Sequence, residues 1–178
     1  MSTGDHILGP DTAPTPFSTS EIREGCPSGR TVVVRVEDGD GVRHRLSRFA
    51  AADDVGALHE RADCEADGTV IGEVAGSHVA WLDLQKHASF PASATVIDNE
   101  TVSLPVGLEE CVRYVVTDAE DVTTFWFSRT RPGMPVKVTF TRGGQVLSTT
   151  VMVSDRIVSD RIVSDRVAPN LHEATPRE

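Results

Sequence analysis

The feature that most constrains this chain is a series of short β-branched runs punctuated by turn dipeptides. TVVVRVED (31–38) is β-branched and alternates in part. EDGDG (37–41) follows it, and Asp-Gly is the strongest short-range hairpin signal. VRHRLSRFA (42–50) alternates as the return strand. A further strand is expected over about 56–65, leading into a turn at Asp67-Gly68. VAWLDLQ (79–85) reads as the next. Strands over about 101–106, 111–117, 122–129, 135–142 and 145–153 complete the series. Turn signals at Asp98-Asn99, Pro105 with Gly107, Asp118 to Asp121, Pro132-Gly133 and Gly143-Gly144 separate them. Such spacing indicates an all-β fold, expected here as a single antiparallel β-barrel of about eight strands. There is no βαβ alternation and no G-x-x-x-x-G-K-[ST], so phosphate-loop and Rossmann readings have little support.

The two ends read differently. Residues 1–17 are rich in Pro, Thr, Gly and Asp and suit an extended arm. Ser18 followed three residues later by Glu21 fits a capping box, and Gly25 with Pro27 makes a stop, so one short helix is expected over about 19–25. The expected organisation is an arm and lid helix at 1–25, a barrel at 26–155 and a repetitive tail at 156–178. The tail follows from VSDRIVSDRIVSDRV (153–167), three copies of a five-residue unit. Five matches neither the helical nor the strand period. The repeat therefore reads as a tandem expansion beyond the last strand.

Composition disfavours several partners. The formal charge is −10, from 27 acids against 17 bases, with no run of lysine or arginine. Nucleic acid and anionic membrane surfaces both call for a basic patch. Cys26, Cys64 and Cys111 are far apart and form no C-x-x-C, which predicts free buried thiols in a reducing compartment. The N-terminus lacks a basic n-region and an apolar h-region, and no apolar stretch approaches ~20 residues. A cytoplasmic location is expected.

In EADGTVIGEVAGSHVAWL (65–82), glycines recur at Gly68, Gly72 and Gly76. Asp63, Glu65, Asp67 and Gly68 occupy the first, third, fifth and sixth places of a calcium loop. The twelfth place needs a bidentate carboxylate and holds Val74. The stretch reads instead as a hairpin turn at Asp67-Gly68 followed by a glycine-bent strand. Neither H-E-x-x-H nor G-x-S-x-G occurs, so the sequence nominates no metal ligands and no nucleophile. No cofactor is expected.

The aromatic residues are more suggestive. They make up only 5% of the chain, yet Trp81, Tyr114, Phe125, Trp126 and Phe127 fall on expected strands. Alternation puts Phe125 and Phe127 on one face and Trp126 on the other. Trp81 would share a face with Asp83 and Gln85. An aromatic wall carrying a few polar groups suits a ligand pocket. The same residues also serve simply as core, each tryptophan N–H finding a carbonyl.

The run ALHERADCEADGTVIGEVAGSHVAWLDL (57–84) resembles the strand pair of allene-oxide-cyclase-like and dirigent-like barrels. The matching positions are Gly56, Leu58, Asp67, Gly68, Ile71, Gly72, Gly76 and Val79. That class includes small bacterial cyclases of spirotetronate and spirotetramate polyketides, whose N-terminal segment closes the barrel mouth. The resemblance implies a cofactor-independent cyclase that folds a polyene substrate for [4+2] closure, where positioning alone contributes ~7–11 kcal/mol. No catalytic residue carries over, because none lies in the matching motif. Gln85 and Tyr114 are the candidate hydrogen-bond donors to a dienophile carbonyl. Glu60 and Arg35 are candidates for a lumen ion pair, with Glu60 counted among the catalytic groups and Arg35 among those binding substrate. Trp81, Trp126, Phe125 and Phe127 would form the walls. The second half, VSLPVGLEECVRY and TTFWFSRTRPGMPV, lacks the dirigent signature and looks more like the half-barrel of lipid-carrier lipoproteins. That likeness motivates a rival expectation, a non-catalytic binder or carrier of an apolar small molecule. A third is an interaction module working through its edges or tail. The expected partner is an apolar small molecule, with a homodimer left open.

Overall fold

The computed structural model describes residues 3–158. A single 3-10 turn at Thr3–His6 opens an extended arm, and the arm leads into helix α1 (Thr19–Gly25). Ser18 caps α1: its hydroxyl accepts from the Glu21 N–H, and Glu21 reaches back to the Ser18 N–H. Phe17 before the cap and Ile22 at the fourth helical position are both buried, which is the hydrophobic staple of a helix start.

Nine strands follow: β1 (Arg30–Asp38), β2 (Gly41–Ala52), β3 (Gly56–Cys64), β4 (Val70–Ala80), β5 (Thr95–Leu104), β6 (Gly107–Asp118), β7 (Asp121–Ser128), β8 (Lys137–Arg142) and β9 (Gln145–Ile157). They form one antiparallel sheet in the order β4-β3-β2-β1-β9-β8-β7-β6-β5. The chain thus lays down two meanders, β1–β4 and β5–β9, which meet at one seam where β1 pairs with β9.

The all-β expectation holds, but the sheet is not closed. Among the described residues β4 and β5 are its two edges, and β4 pairs with β3 alone. The strand count is nine where about eight were expected. Flat, β2 and β7 would lie about 19 Å apart, four strand spacings of ~4.8 Å. Yet Phe49 of β2 and Phe127 of β7 belong to one buried cluster, bridged by Phe17 and Ile22. The sheet therefore wraps around the N-terminal segment as an open trough.

Three expected elements differ. Residues 79–85 are not a strand: β4 ends at Ala80, and helix α2 spans Trp81–Lys86. Trp81 and Gln85 are buried at i and i+4, with Leu84 packed beside them, so the face is helical rather than alternating. Asp98-Asn99 is not a turn but lies inside β5; the connection is made by the 3-10 turn at Ala92–Ala94. The first copy of the repeat, Val153–Ile157, lies within β9 rather than beyond it. The remaining copies lie outside the described residues. At the β3–β4 hairpin the turn falls where expected, with Gly68 at φ 91° and Asp67 Oδ1 accepting from the Thr69 N–H.

The seam is pinned by buried charges. Arg30 of β1 donates Nε and Nη2 to the two carboxylate oxygens of Asp155 in β9, at 3.0 and 2.9 Å. Arg131, in the β7–β8 connection, bridges Asp155 at 3.1 Å and Glu109 of β6 at 2.9 Å. Ser128 donates to Glu109 as well. One network thus ties the β1–β9 seam to the second meander. Val32, Met152, Val136, Trp126, Cys111 and Val102 form a second buried apolar cluster. All three cysteines are free and buried.

Candidate functional site

The trough face is aromatic and carries its own cover. Phe90 stacks on Phe125 with centroids 4.9 Å apart. Tyr114 and Phe17 each meet Phe127 edge-on, at 5.5 and 6.0 Å. Trp81 tilts against Phe49 at 6.1 Å. β6–β7 register places Tyr114 beside Phe125, and Val112 beside Phe127. The arm lies across these rings, burying Ala13, Thr15 and Phe17.

Two polar side chains hold the cover down. Gln85 is 2% exposed. Its Nε2 donates to the Asp5 carbonyl at 2.7 Å and to Thr15 Oγ1 at 3.0 Å. Its Oε1 accepts from Thr19 Oγ1 at 2.6 Å. Tyr114, also 2% exposed, donates its hydroxyl to the Pro14 carbonyl at 2.8 Å. Burial pushes the Tyr114 phenol up to about 12, so it stays a neutral donor across the physiological range. Backbone bonds add to the clamp: Ala13 N–H to the Phe90 carbonyl, and Ala92 N–H to the Asp11 carbonyl, both at 2.9 Å.

A cleft of about 410 Å³ opens at the margin of the cover. Leu8, Ser20, Arg23, Asp54 and Leu82 line it, and Gln85 is reached through it. Leu8 and Leu82 remain exposed at its rim.

The structure brings together Gln85, Tyr114, Trp81, Phe125 and Phe127 under the arm. It separates the other nominated residues. Trp126 lies on the opposite face of β7, giving its Nε1–H to Glu100 at 2.9 Å with Lys137 over its ring at 4.5 Å. Arg35 is exposed on β1 and pairs with Glu37. Glu60 sits on β3 as the register partner of Arg48, on the face away from His59. Glu60 and Arg35 therefore make no ion pair with each other. Trp81 gives its Nε1–H to the Asp53 carbonyl at 2.8 Å. Sequence reasoning passed over Phe17, Phe49, Phe90, Thr15 and Thr19. The signal for Phe17 was present: an aromatic residue immediately before a capping box, five places ahead of an isoleucine in the helix.

An open antiparallel trough, lined with aromatic rings and covered by its own N-terminal segment, defines the class of domain. No family model matches the chain, and no curated protein matches it in sequence. Solved structures do match in fold. MucB of Pseudomonas aeruginosa, in complex with MucA, aligns over 85% of this chain and 59% of its own, with a TM-score of 0.52 and 11% identity. This chain thus spans about three fifths of MucB. An exported protein with a YmcC-like fold from Bacteroides fragilis aligns over 73% of this chain and 96% of its own, with a TM-score of 0.45 and 8% identity. A lipoprotein from Parabacteroides distasonis gives 74% and 96%, a TM-score of 0.46 and 10% identity.

These comparisons correct the cyclase expectation. The fold matched above a TM-score of 0.5 is that of MucB, not an allene-oxide-cyclase-like barrel. The glycine-and-turn pattern at 56–79 was shared grammar for a bent hairpin and did not encode closure. A polyketide [4+2] cyclase is not supported. The cytoplasmic expectation is likewise not supported by these comparisons.

Proposed function

We propose that this chain is a binding module for an apolar molecule, such as an acyl chain, and that it binds without turnover. The observation that carries this reading is the covered aromatic trough. Phe90, Tyr114, Phe125, Phe127, Phe49 and Trp81 form an apolar lining continuous with the underside of the arm. Sites for apolar ligands are of this kind: concave, mostly aromatic and aliphatic, with a few placed polar groups.

The polar groups argue for binding rather than catalysis. Gln85 and Tyr114 are the nominated donors closest to the rings, and both spend their hydrogen bonds on the arm. In this reading the arm stands in for the ligand and lifts as the ligand enters. The cleft between Leu8 and Leu82 is where entry begins. Phe125, Phe127 and Trp81 are the ligand-contacting residues. An extended protein segment is a second class of occupant, favoured by the fact that the trough already holds one, residues 11–17 of this chain.

Titration with a fluorescent fatty acid tests the proposal. Saturable binding to the native chain is expected, tightening in Tyr114→Phe because the cover is held less firmly. Failure of both proteins to bind, with the fold intact by circular dichroism, would refute it. Binding unaffected by Phe125→Ala would place the site elsewhere.

A further inference from the structure

The mouth of the trough carries charge as well as leucine. Leu8 and Leu82 line the cleft of about 410 Å³, as does Gln85, which is buried and hydrogen-bonded to the arm. Arg23, Asp54 and Asp5 line it too. An entrance for a plain hydrocarbon needs none of these charges. Arg23 Nη1 lies 3.4 Å from Asp54 Oδ1, and the two side chains are 42% and 97% exposed. A long contact between groups this open to water contributes little to the fold. Both charges can therefore turn to a ligand at small cost.

The elements that carry them are nonetheless fixed from behind. Asp53 Oδ1 accepts from the N–H groups of Val55 and Gly56, at 2.8 and 2.9 Å. The Asp53 carbonyl accepts from Trp81 Nε1–H at 2.8 Å, and the Val55 carbonyl accepts from the Trp81 backbone N–H at 3.1 Å. The loop that bears Asp54 is thus fastened to the start of α2. Arg23 stands in the last turn of α1. α1 is tied to α2 in turn, through the bond from Thr19 to Gln85. A guanidinium and a carboxylate are so presented together at the cleft by elements that cannot drift apart, as specific recognition requires.

We propose that this cleft is a head-group site, and that the ligand of the trough is a single-chain amphiphile with a compact zwitterionic head. The anionic group of the head meets Arg23 and its ammonium group meets Asp54. The tail runs past Leu8 and Leu82 beneath the arm. This deepens the reading of the trough as an apolar-binding site and rests on it. One chain is inferred because the trough already holds one extended segment, residues 11–17. The charges select the head. A purely anionic head would gain Arg23 but face the carboxylates of Asp5 and Asp54. A purely cationic head would gain those carboxylates and face Arg23. A head with both signs complements each, and replaces one long ion contact by two.

The test is calorimetric titration of the full chain with four twelve-carbon amphiphiles below micelle formation: dodecylphosphocholine, dodecanoate, dodecyltrimethylammonium and dodecyl maltoside. Dodecylphosphocholine should bind most tightly. Arg23→Gln should weaken it by about twofold to fivefold, the range for a partly exposed ion pair, and leave dodecyl maltoside unchanged. Asp54→Asn should weaken dodecylphosphocholine and dodecyltrimethylammonium but tighten dodecanoate. Unchanged maltoside binding also shows that both variants keep their fold. Equal shifts for all four heads, or none, would overturn the head site while leaving the trough standing. Tighter binding of dodecanoate than of dodecylphosphocholine to the native chain would overturn it as well. Failure of all four to bind would overturn the trough and the head site together. Free phosphocholine should bind far more weakly than its dodecyl ester. Equal affinity would assign the cleft to small zwitterions without a chain and overturn the proposal.

Discussion

The hydroxyl of Tyr114 donates to the carbonyl of Pro14 at 2.8 Å, joining β6 to the arm across 100 residues of sequence. Removing only that hydroxyl, in Tyr114→Phe, leaves the ring packing in place. The expected cost is about 0.5–1.5 kcal/mol, one neutral hydrogen bond. Hydrogen exchange should speed up locally, at Ala13 and Thr15, with the sheet amides unchanged. Uniform acceleration across the sheet would contradict the clamp.

Alkaline pH should weaken the fold in two overlapping steps. Burial pushes the Cys111 thiol up to about 11, with the charge of Glu109 adding to it, and burial alone pushes the Tyr114 phenol up to about 12. Both groups hold their protons more tightly folded than unfolded. Stability is therefore complete below pH 9 and falls as pH rises from there toward 12, by on the order of 1–3 kcal/mol per group. Tyr114→Phe should remove the upper part of that loss and leave the lower part, measured as denaturation midpoint against pH.

Gln85→Ala should destabilise by about 1–3 kcal/mol. The Asp5 carbonyl and the Thr15 and Thr19 hydroxyls would lose their shared partner beneath the cover. Limited proteolysis should then cut preferentially before Thr19, with α1 and the sheet protected. A variant as resistant as the native chain would argue that α1 alone holds the arm.

Asp155→Asn should be among the most damaging single changes, at about 3–5 kcal/mol. It removes one partner of a buried pair and strands Arg30. Burial opposes the charge on Asp155, but bonds from Arg30 and then Arg131 outweigh it and hold the carboxyl below its ordinary value of 3.8. The stabilisation is therefore complete above that pH and is lost as pH falls below it. The native chain should show an acid transition that Asp155→Asn lacks.

Gly56→Ala should damage the sheet although the site is not a turn. An added Cβ would stand 2.1 Å from the Val79 carbonyl oxygen of the neighbouring strand. Backbone rather than a flexible side chain blocks it, so β3 and β4 must part. A loss above about 2 kcal/mol is expected, in keeping with overpacking at a close approach.

Much of the sheet was legible because its turns announce themselves. Asp-Gly and Gly-Gly pairs mark the ends of β1–β2, β3–β4 and β8–β9 with little dependence on context. The helix at Trp81–Lys86 was hidden because six residues give both periods a fair match. Only the burial of Trp81, Leu84 and Gln85 on one side separates them. Closure was not legible at all, since it depends on how far twist and bulges accumulate over nine strands. Gln85 and Tyr114 stood out as polar groups among apolar ones, which is true of a ligand pocket and of a clamp alike. The partners that decide between those meanings, Thr15, Thr19 and Pro14, lie 66 to 100 residues away in sequence.

The single seam between β1 and β9 also sets an order in time. Each meander is built from neighbouring hairpins and can form on its own schedule. The seam needs residues about 120 positions apart, such as Arg30 and Asp155, and must wait for that long loop to close. The arm comes later still, because the trough it lies across draws walls from both meanders. The cover is thus the last part to arrive and the first that should leave.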